Sequence, residues 1–452
     1  MDSRRHRLAP VLLIVVTACA PVAPPTTSVA PAASVPAHFD TDVDRMRADL
    51  VALQEAADAN GGIRTAGTPG YEASVDHVAS VLREIGFAVE TPTVEFTGFR
   101  QLPGARLQVG DATFEGSEEL RALIYSPGGE VDGPVAVLDE SGCDPGDFAR
   151  VQAGAVVLTT GGGCLRRDQA INAAEAGAAA LLVGYPGRNA GEIFRPTLLD
   201  PAGIEIPVVS VTDAAVRALQ RARTASLSVT TELPDATFRN VVAKLGDGAA
   251  TVMIGAHLDS VLDGPGINDN GSGVAAVLEL ARIVAATGLP EGWSVRIGLW
   301  GAEEFGTIGS RAYAETLDGG VVAYLNLDMA GSVNGATLIY DEPDAAPGSM
   351  AITEAYEAWL DARGEESARA DLGGSSDHYG FIQAGIPTGG LFAGASESGS
   401  ASSPAGAPST GDAMDPCYHI ACDTIDNVDV DRVALFAEAT LAVAYGLMDA
   451  GP

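Results

Sequence analysis

Two histidines and a set of carboxylates recur in this chain just after apolar runs that end in glycine or a turn. They are His257 and Asp259 in Ile-Gly-Ala-His-Leu-Asp-Ser, Asp269 in Gly-Ile-Asn-Asp-Asn-Gly-Ser-Gly, Glu303 and Glu304 in Leu-Trp-Gly-Ala-Glu-Glu-Phe-Gly, Asp328 in Tyr-Leu-Asn-Leu-Asp-Met-Ala-Gly-Ser, and His419 in Cys-Tyr-His-Ile-Ala-Cys-Asp. Two imidazoles and three carboxylates suffice to hold two divalent cations, with one further carboxylate left over as a base. Neutral imidazole combined with carboxylate oxygen suits zinc, with cobalt or manganese as substitutes. An aspartate on a glycine-rich loop, as Asp269 is, can approach closely enough to bridge two ions. Asp259, two residues past His257, is placed to accept the second imidazole N–H and fix its tautomer. Glu303 and Glu304 are adjacent at a strand end and are expected to point to different sides, one to metal and one to a water. Taken singly, each residue has a bland reading as a turn, a helix cap or a packed imidazole. Only their convergence makes a metal-dependent hydrolase.

The elements that must position them follow from the apolar pattern. From Phe238 onward, strands and helices alternate: Val241–Leu245, Thr251–Ala256, a helix over Gly273–Ala286, Ser294–Trp300, a helix near Gly309–Thr316 and Val321–Leu327. This alternation predicts an α/β fold with a mixed, mostly parallel sheet flanked by crossover helices. His257, Glu303, Glu304 and Asp328 each follow such a strand, and ligands of open α/β sheets gather at strand carboxyl ends. Further on, Ile352–Ala362 predicts a helix, Gly389–Phe392 a short buried strand, Gly394–Gly411 a low-complexity surface loop and Asp431–Met448 a closing helix. Residues 40–91 read as helices around a turn-rich loop, Asn60–Gly70, and Val89–Phe96 as a strand. Between about 98 and 237, short β-rich runs alternate with glycine-rich turns, and no His/carboxylate cluster occurs.

Composition bounds the partners. Net charge is −34 and Lys244 is the single lysine, so a nucleic-acid partner is not expected. Arg4, Arg5 and Arg7 precede the apolar stretch Leu8–Val16, too short to span a bilayer and patterned like an export signal. It ends in Val16-Thr17-Ala18-Cys19, which resembles a bacterial lipobox. Residues 1–19 are therefore expected to be a lipoprotein signal with Cys19 lipidated, and 20–38 an extended Pro/Ala/Thr tether. Four of the five cysteines remain, an even number that suggests two disulfides in an exported protein. The simplest pairing is Cys143–Cys164 with Cys417–Cys422, one of three possible connectivities.

The quoted site segments, together with Ser376-Asp377-His378 and the Asn60–Tyr71 loop, closely resemble the family of co-catalytic zinc aminopeptidases, particularly the secreted streptomycete type. The resemblance covers about 40–97 and 238–448. Residues 98–237 resemble the protease-associated domain inserted into many exported peptidases, through Gly-Cys-Asp-Pro-Gly-Asp-Phe, a second Cys after a strand and an Ala-Ala-Glu-Ala-Gly-Ala helix. The domains are accordingly expected at 39–97 plus 238–450 for the peptidase, with 98–237 as the insert. What the resemblance implies is a zinc exopeptidase-like fold with two zinc ions. One would be held by His257 and Asp328 and the other by Glu304 and His419, with Asp269 bridging and the Asp269–Asn270 peptide cis. It further implies Glu303 as general base, Tyr418 as donor to the oxyanion, and Asp377 and His378, like Asp259, as supports outside the ligand set. Some relatives carry Arg where Ser375 stands.

The expected activity is removal of the first residue of peptides, apolar ones such as Leu by resemblance, by a monomer lipid-anchored to the outer face of a bacterial membrane. Glu303 and Asp328 would help hold the substrate's free amine. A carboxypeptidase or other amidohydrolase on the same fold remains a rival; it would need a cationic pocket, and no Lys or Arg is evident near the motifs. A non-catalytic binding protein is the third reading.

Overall fold

A computed structural model describes residues 39–185, 193–396 and 412–451. Cys19, the export signal, the tether and most of the low-complexity loop lie outside the described residues.

One half of the fold is built on an eight-stranded sheet. Its spatial order is Ala88–Glu90, Val241–Leu245, Trp293–Trp300, Ala250–His257, Val321–Asp328, Thr388–Phe392, Leu338–Tyr340 and Ala368–Ala370. The four strands from Trp293–Trp300 to Thr388–Phe392 run parallel, and the two central ones have both faces covered. Every residue of Ala250–His257 is buried, which is why it reads as a continuous apolar run without alternation. Val252 and Ile254 enter the main core. Met253, between them, points to the opposite face with Trp300, Tyr324 and Phe381. On the main-core face, helices Val43–Asp58, Gly273–Thr287, Ser349–Asp361 and Val430–Asp449 pack against one another; on the other, Ile308–Ala314 packs against His378–Gln383.

The structure departs from the sequence reading in two places. Val241–Leu245 runs antiparallel to Trp293–Trp300, not parallel. The short link 246–249 that joins it to Ala250–His257 holds no crossover helix, and a parallel return needs a connection of about a dozen residues or more. The single strand expected over Val89–Phe96 is two, Ala88–Glu90 and Thr93–Thr97, divided around Pro92, whose missing N–H cannot serve a ladder.

Thr93–Thr97 pairs antiparallel with Asp235–Arg239, and Arg100–Gln101 with Thr231–Glu232. The chain thus leaves and re-enters the first half side by side. Between these ribbons lies a second eight-stranded sheet, centred on Gly129–Val137, Val156–Thr160, Ala180–Gly184 and Val208–Val211. Among the described residues no helix is long and apolar enough to cross a membrane.

Candidate metal centre

The parallel strand order reverses between Ala250–His257 and Val321–Asp328, since the chain passes from the former to Trp293–Trp300 on one side and then to Val321–Asp328 on the other. Such a reversal leaves a crevice at the carboxyl ends of the strands. His257 is the last residue of one strand and Asp328 of its neighbour. Glu303 and Glu304 lie in the turn just past Trp300, where the backbone N–H groups of both donate to the Asp259 carboxylate, at 3.1 and 3.4 Å. Because they stand beyond the strand, its alternation does not set their directions. One oxygen from each falls in a group with His257 whose members lie within 4.8 Å of one another.

Asp269 is carried in by the turn Ile267–Ser272, which side-chain hydrogen bonds zip onto the segment around Asp328. Asn270 Nδ2 donates to the Leu327 carbonyl at 2.9 Å, and its Oδ1 accepts the Met329 N–H at 3.2 Å. Ser272 Oγ accepts the Ala330 N–H at 2.8 Å, and Asn268 Oδ1 the Gly331 N–H at 3.0 Å. The Asp269–Asn270 peptide is cis. Gly266 starts the turn at φ 64°, and a Cβ there would stand 2.3 Å from the Asp269 carbonyl oxygen, so only glycine fits.

The result is a shared carboxylate. Asp269 Oδ1 is 3.2 Å from His257 Nε2, and Oδ2 is 3.1 Å from His419 Nε2. Each imidazole faces one further carboxylate: His257 Nε2 lies 3.3 Å from Asp328 Oδ1, and His419 Nε2 lies 3.3 Å from Glu304 Oε2. Two ligands of one tetrahedral zinc, each about 2.0–2.1 Å from the ion, stand roughly 3.3 Å apart. All four spacings match that value. Glu304 Oε1 and Asp328 Oδ1 are buried without a hydrogen-bond partner, an observation that calls for an ion or a water.

The electrostatics point the same way. Burial opposes charge on His257, yet Asp328, Asp259 and Asp269 together raise its pKa well above the ordinary imidazole value. Burial pushes Glu303 well up, reinforced by Asp377, Asp328 and Asp259 and opposed by His257. Glu304 is likewise raised by burial, then by Asp269 and Glu303. So many carboxylates in a buried space need cationic charge that the two imidazoles alone do not provide, and the donor set fits divalent metal.

The remaining expected site residues surround this centre. His257 Nδ1 approaches the Asp259 backbone carbonyl at 3.2 Å and its carboxylate at 3.6 Å, so the carboxylate's main partners are the two glutamate N–H groups. His378 turns away from the centre, its Nε2 3.2 Å from Glu342 Oε1, and it belongs to none of the candidate ligand groups. Asp377 is fully buried and raised to about 7, by burial first, with His257 opposing and Asp328 and Asp259 adding. Ser376 Oγ donates to Asp328 Oδ2 at 2.7 Å. Tyr418 stacks on His419 with ring centroids 3.7 Å apart, inside the loop closed by the Cys417–Cys422 disulfide; Cys143 and Cys164 form the second disulfide.

Two buried supports were not singled out as functional in the sequence. Asp423 accepts the N–H groups of Asn268 and Asp269, at 2.8 and 3.0 Å. Burial, Asp415 and Asp269 raise it to about 8, while those N–H groups oppose the rise. Its place in Cys-Tyr-His-Ile-Ala-Cys-Asp was the available signal. Arg64, fully buried, donates to the carbonyls of Leu258, Pro265 and Gly266, tying the His257 strand end to the Asp269 turn. Burial lowers it to about 10, against Asp259, Asp423 and Asp269. Arg64→Met should cost about 3–5 kcal/mol, because it strands buried acceptors and carboxylates together. Urea unfolding measures this; a loss below about 1 kcal/mol would contradict the bracing role.

The centre opens into a cleft of about 770 Å³, also lined by Ser375 and Tyr418. The insert forms one wall with Leu165, Tyr185, Phe194 and Leu199. It is fastened by Arg195, which lies 3.0 Å from Asp263 Oδ2 and donates to the Ala122 carbonyl at 2.7 Å.

Comparison with known proteins agrees with this architecture. Residues 240–444 match the model of peptidase family M28, and residues 131–219 that of the PA domain. A protein named "Probable lipoprotein aminopeptidase LpqL" from Mycobacterium tuberculosis is 41% identical over 434 residues, covering 89% of this chain and 84% of the relative. A Pseudomonas aeruginosa protein named "Aminopeptidase" is 35% identical over 427 residues, 88% of this chain and 79% of its own length. Among solved structures, an aminopeptidase from Aneurinibacillus sp. strain AM-1 superposes with a TM-score of 0.68 at 25% identity, covering 90% of this chain and 93% of that one. The chain therefore belongs to peptidase family M28 and carries a PA domain within its peptidase fold.

Proposed function

We propose that this chain is a metal-dependent aminopeptidase with two zinc ions, which removes apolar first residues from peptides. The observation that carries the reading is the carboxylate of Asp269 standing between His257 and His419, each with a second carboxylate beside it. His257 and Asp328 would hold one ion and Glu304 and His419 the other, with Asp269 common to both. When bound, zinc supplies Lewis-acid polarisation of the scissile carbonyl and of a water.

The chain's own groups do the rest. Glu303, the carboxylate left over from the ligand set, takes a proton from water as the C–O bond forms, and returns it to the leaving nitrogen as the C–N bond breaks. The Tyr418 hydroxyl donates to the oxyanion. Glu303 and Asp328 carry negative charge to the position of the substrate's free amine. Charge attraction at that end limits cleavage to the first bond. Residues 98–237 act as the wall that shapes the cleft.

Export and anchoring through Cys19 belong to the same proposal. They are supported by the amino-terminal pattern, by the two disulfides and by the similarity to a relative named as a lipoprotein. A monomer needs no second chain to complete the site. Leu-p-nitroanilide is expected to be hydrolysed and its N-acetyl form to be inert, with a chelator abolishing turnover. Equal hydrolysis of the blocked and free forms would contradict an aminopeptidase, and full activity in chelator would contradict a metal enzyme.

A further inference from the structure

Three arginines line the cleft that holds the metal centre: Arg166 and Arg195 from the insert and Arg311 from helix Ile308–Ala314. Arg311 stands shortly after the Glu303–Glu304 segment, whereas Arg166 and Arg195 are remote from the motifs in sequence. Arg195 is paired with Asp263, at 3.0 Å, a carboxylate that also faces Arg121 at 3.6 Å. The other two form no ion pair with a carboxylate among the described residues. Arg166 donates to Gln169 Oε1 at 2.8 Å and to the Cys164 carbonyl, both uncharged. Arg311 is exposed at the cleft wall. Both guanidiniums therefore bring positive charge to a cleft wall with no acidic partner of their own among the described residues. Burial lowers the Arg166 pKa, with only Tyr185 opposing, so holding its charge there costs free energy that an anionic ligand would offset. The two residues come from the two separate folded parts, and their cleft is the one reached by Glu303, Glu304, Asp269 and Asp328.

We propose that Arg166 and Arg311 form a carboxylate-binding subsite for the leaving portion of a short peptide, whose first residue sits at the metal centre. This rests on the aminopeptidase reading. The carboxylate would come from the free carboxyl terminus of a di- or tripeptide, or from an acidic side chain after the first residue. Guanidinium planes suit either source by paired N–H donation. The insert would then select substrates by length and charge as well as walling the cleft.

The test compares kcat/KM for Leu-Gly-Gly with its carboxyl-terminal amide, and for Leu-Glu-amide with Leu-Gln-amide. Leu-p-nitroanilide, which has no carboxylate, serves as the control. The carboxylate-bearing member of at least one pair should be favoured about tenfold, the scale of one charged hydrogen bond. The first pair reports a terminal carboxylate and the second a side chain. Arg166→Gln with Arg311→Gln should erase that preference and leave anilide turnover unchanged. Arg311→Gln alone, at an exposed position, should reduce the preference if the double variant folds poorly. Ratios near one in the unaltered enzyme, or a preference that survives both substitutions, would overturn the subsite. Absence of anilide turnover in the unaltered enzyme would instead overturn the aminopeptidase reading, and the subsite with it.

Discussion

Glu303→Gln is expected to lower kcat by about 10²- to 10⁴-fold, the range that proton transfer by a positioned side chain supplies, while metal content and fold stay intact. The substitution keeps the side chain's size and the backbone N–H that Asp259 accepts, so the turn after Trp300 is preserved. What it removes is the one carboxylate of the cluster with no ligand assignment. The same geometry allows a different outcome, because a Glu303 oxygen lies in a group with His257 and Glu304 whose members are within 4.8 Å of each other. If Glu303 were a ligand, the variant would lose metal together with activity. Elemental analysis of the variant beside its kcat therefore separates base from ligand. Near-normal turnover would remove Glu303 from the mechanism altogether.

Much of this centre is legible in the sequence. His257, Asp328 and the Glu303–Glu304 pair each follow an apolar run, and a parallel sheet turns such positions into neighbours. The choice of His419 over His378 came from the resemblance of its segment. The geometry sets His419 beside Asp269 and Glu304, and His378 beside Glu342. What stayed hidden depended on contacts far apart in sequence. Nothing in the local pattern of Arg64 announces that it closes on three carbonyls about 200 residues away. Asp259 read as a simple partner of His257, yet its carboxylate mainly orders the glutamate turn. The antiparallel edge strand escaped because alternation of strands and helices says nothing about a short link without a helix. Arg166 and Arg195 escaped because they sit in segments with no motif of their own, and Arg311 because nothing local to helix Ile308–Ala314 announces that it faces the cleft.

The second large effect concerns Asp269. Its two oxygens face the two imidazoles, so Asp269→Ala should weaken both halves of the centre at once. Loss of a supporting partner behind a ligand costs about 10- to 100-fold in metal affinity or activity. Loss of the shared ligand should exceed that, taking activity down by more than about 100-fold and metal content below that of any variant at a single-ion ligand. Asp423→Asn is the graded comparison. It keeps a side-chain oxygen for one of the Asn268 and Asp269 N–H groups but turns an amide NH2 toward the other, and should fall within the smaller range. If Asp269→Ala retained full metal and most of its activity, the bridge would not be the organising feature of the site.

The most direct measurement is anomalous scattering at the zinc edge from crystals of the zinc-loaded protein. Two peaks are predicted, one between His257 and Asp328 and one between Glu304 and His419, both within coordination distance of Asp269. A single peak, or density remote from Asp269, would contradict the two-metal account.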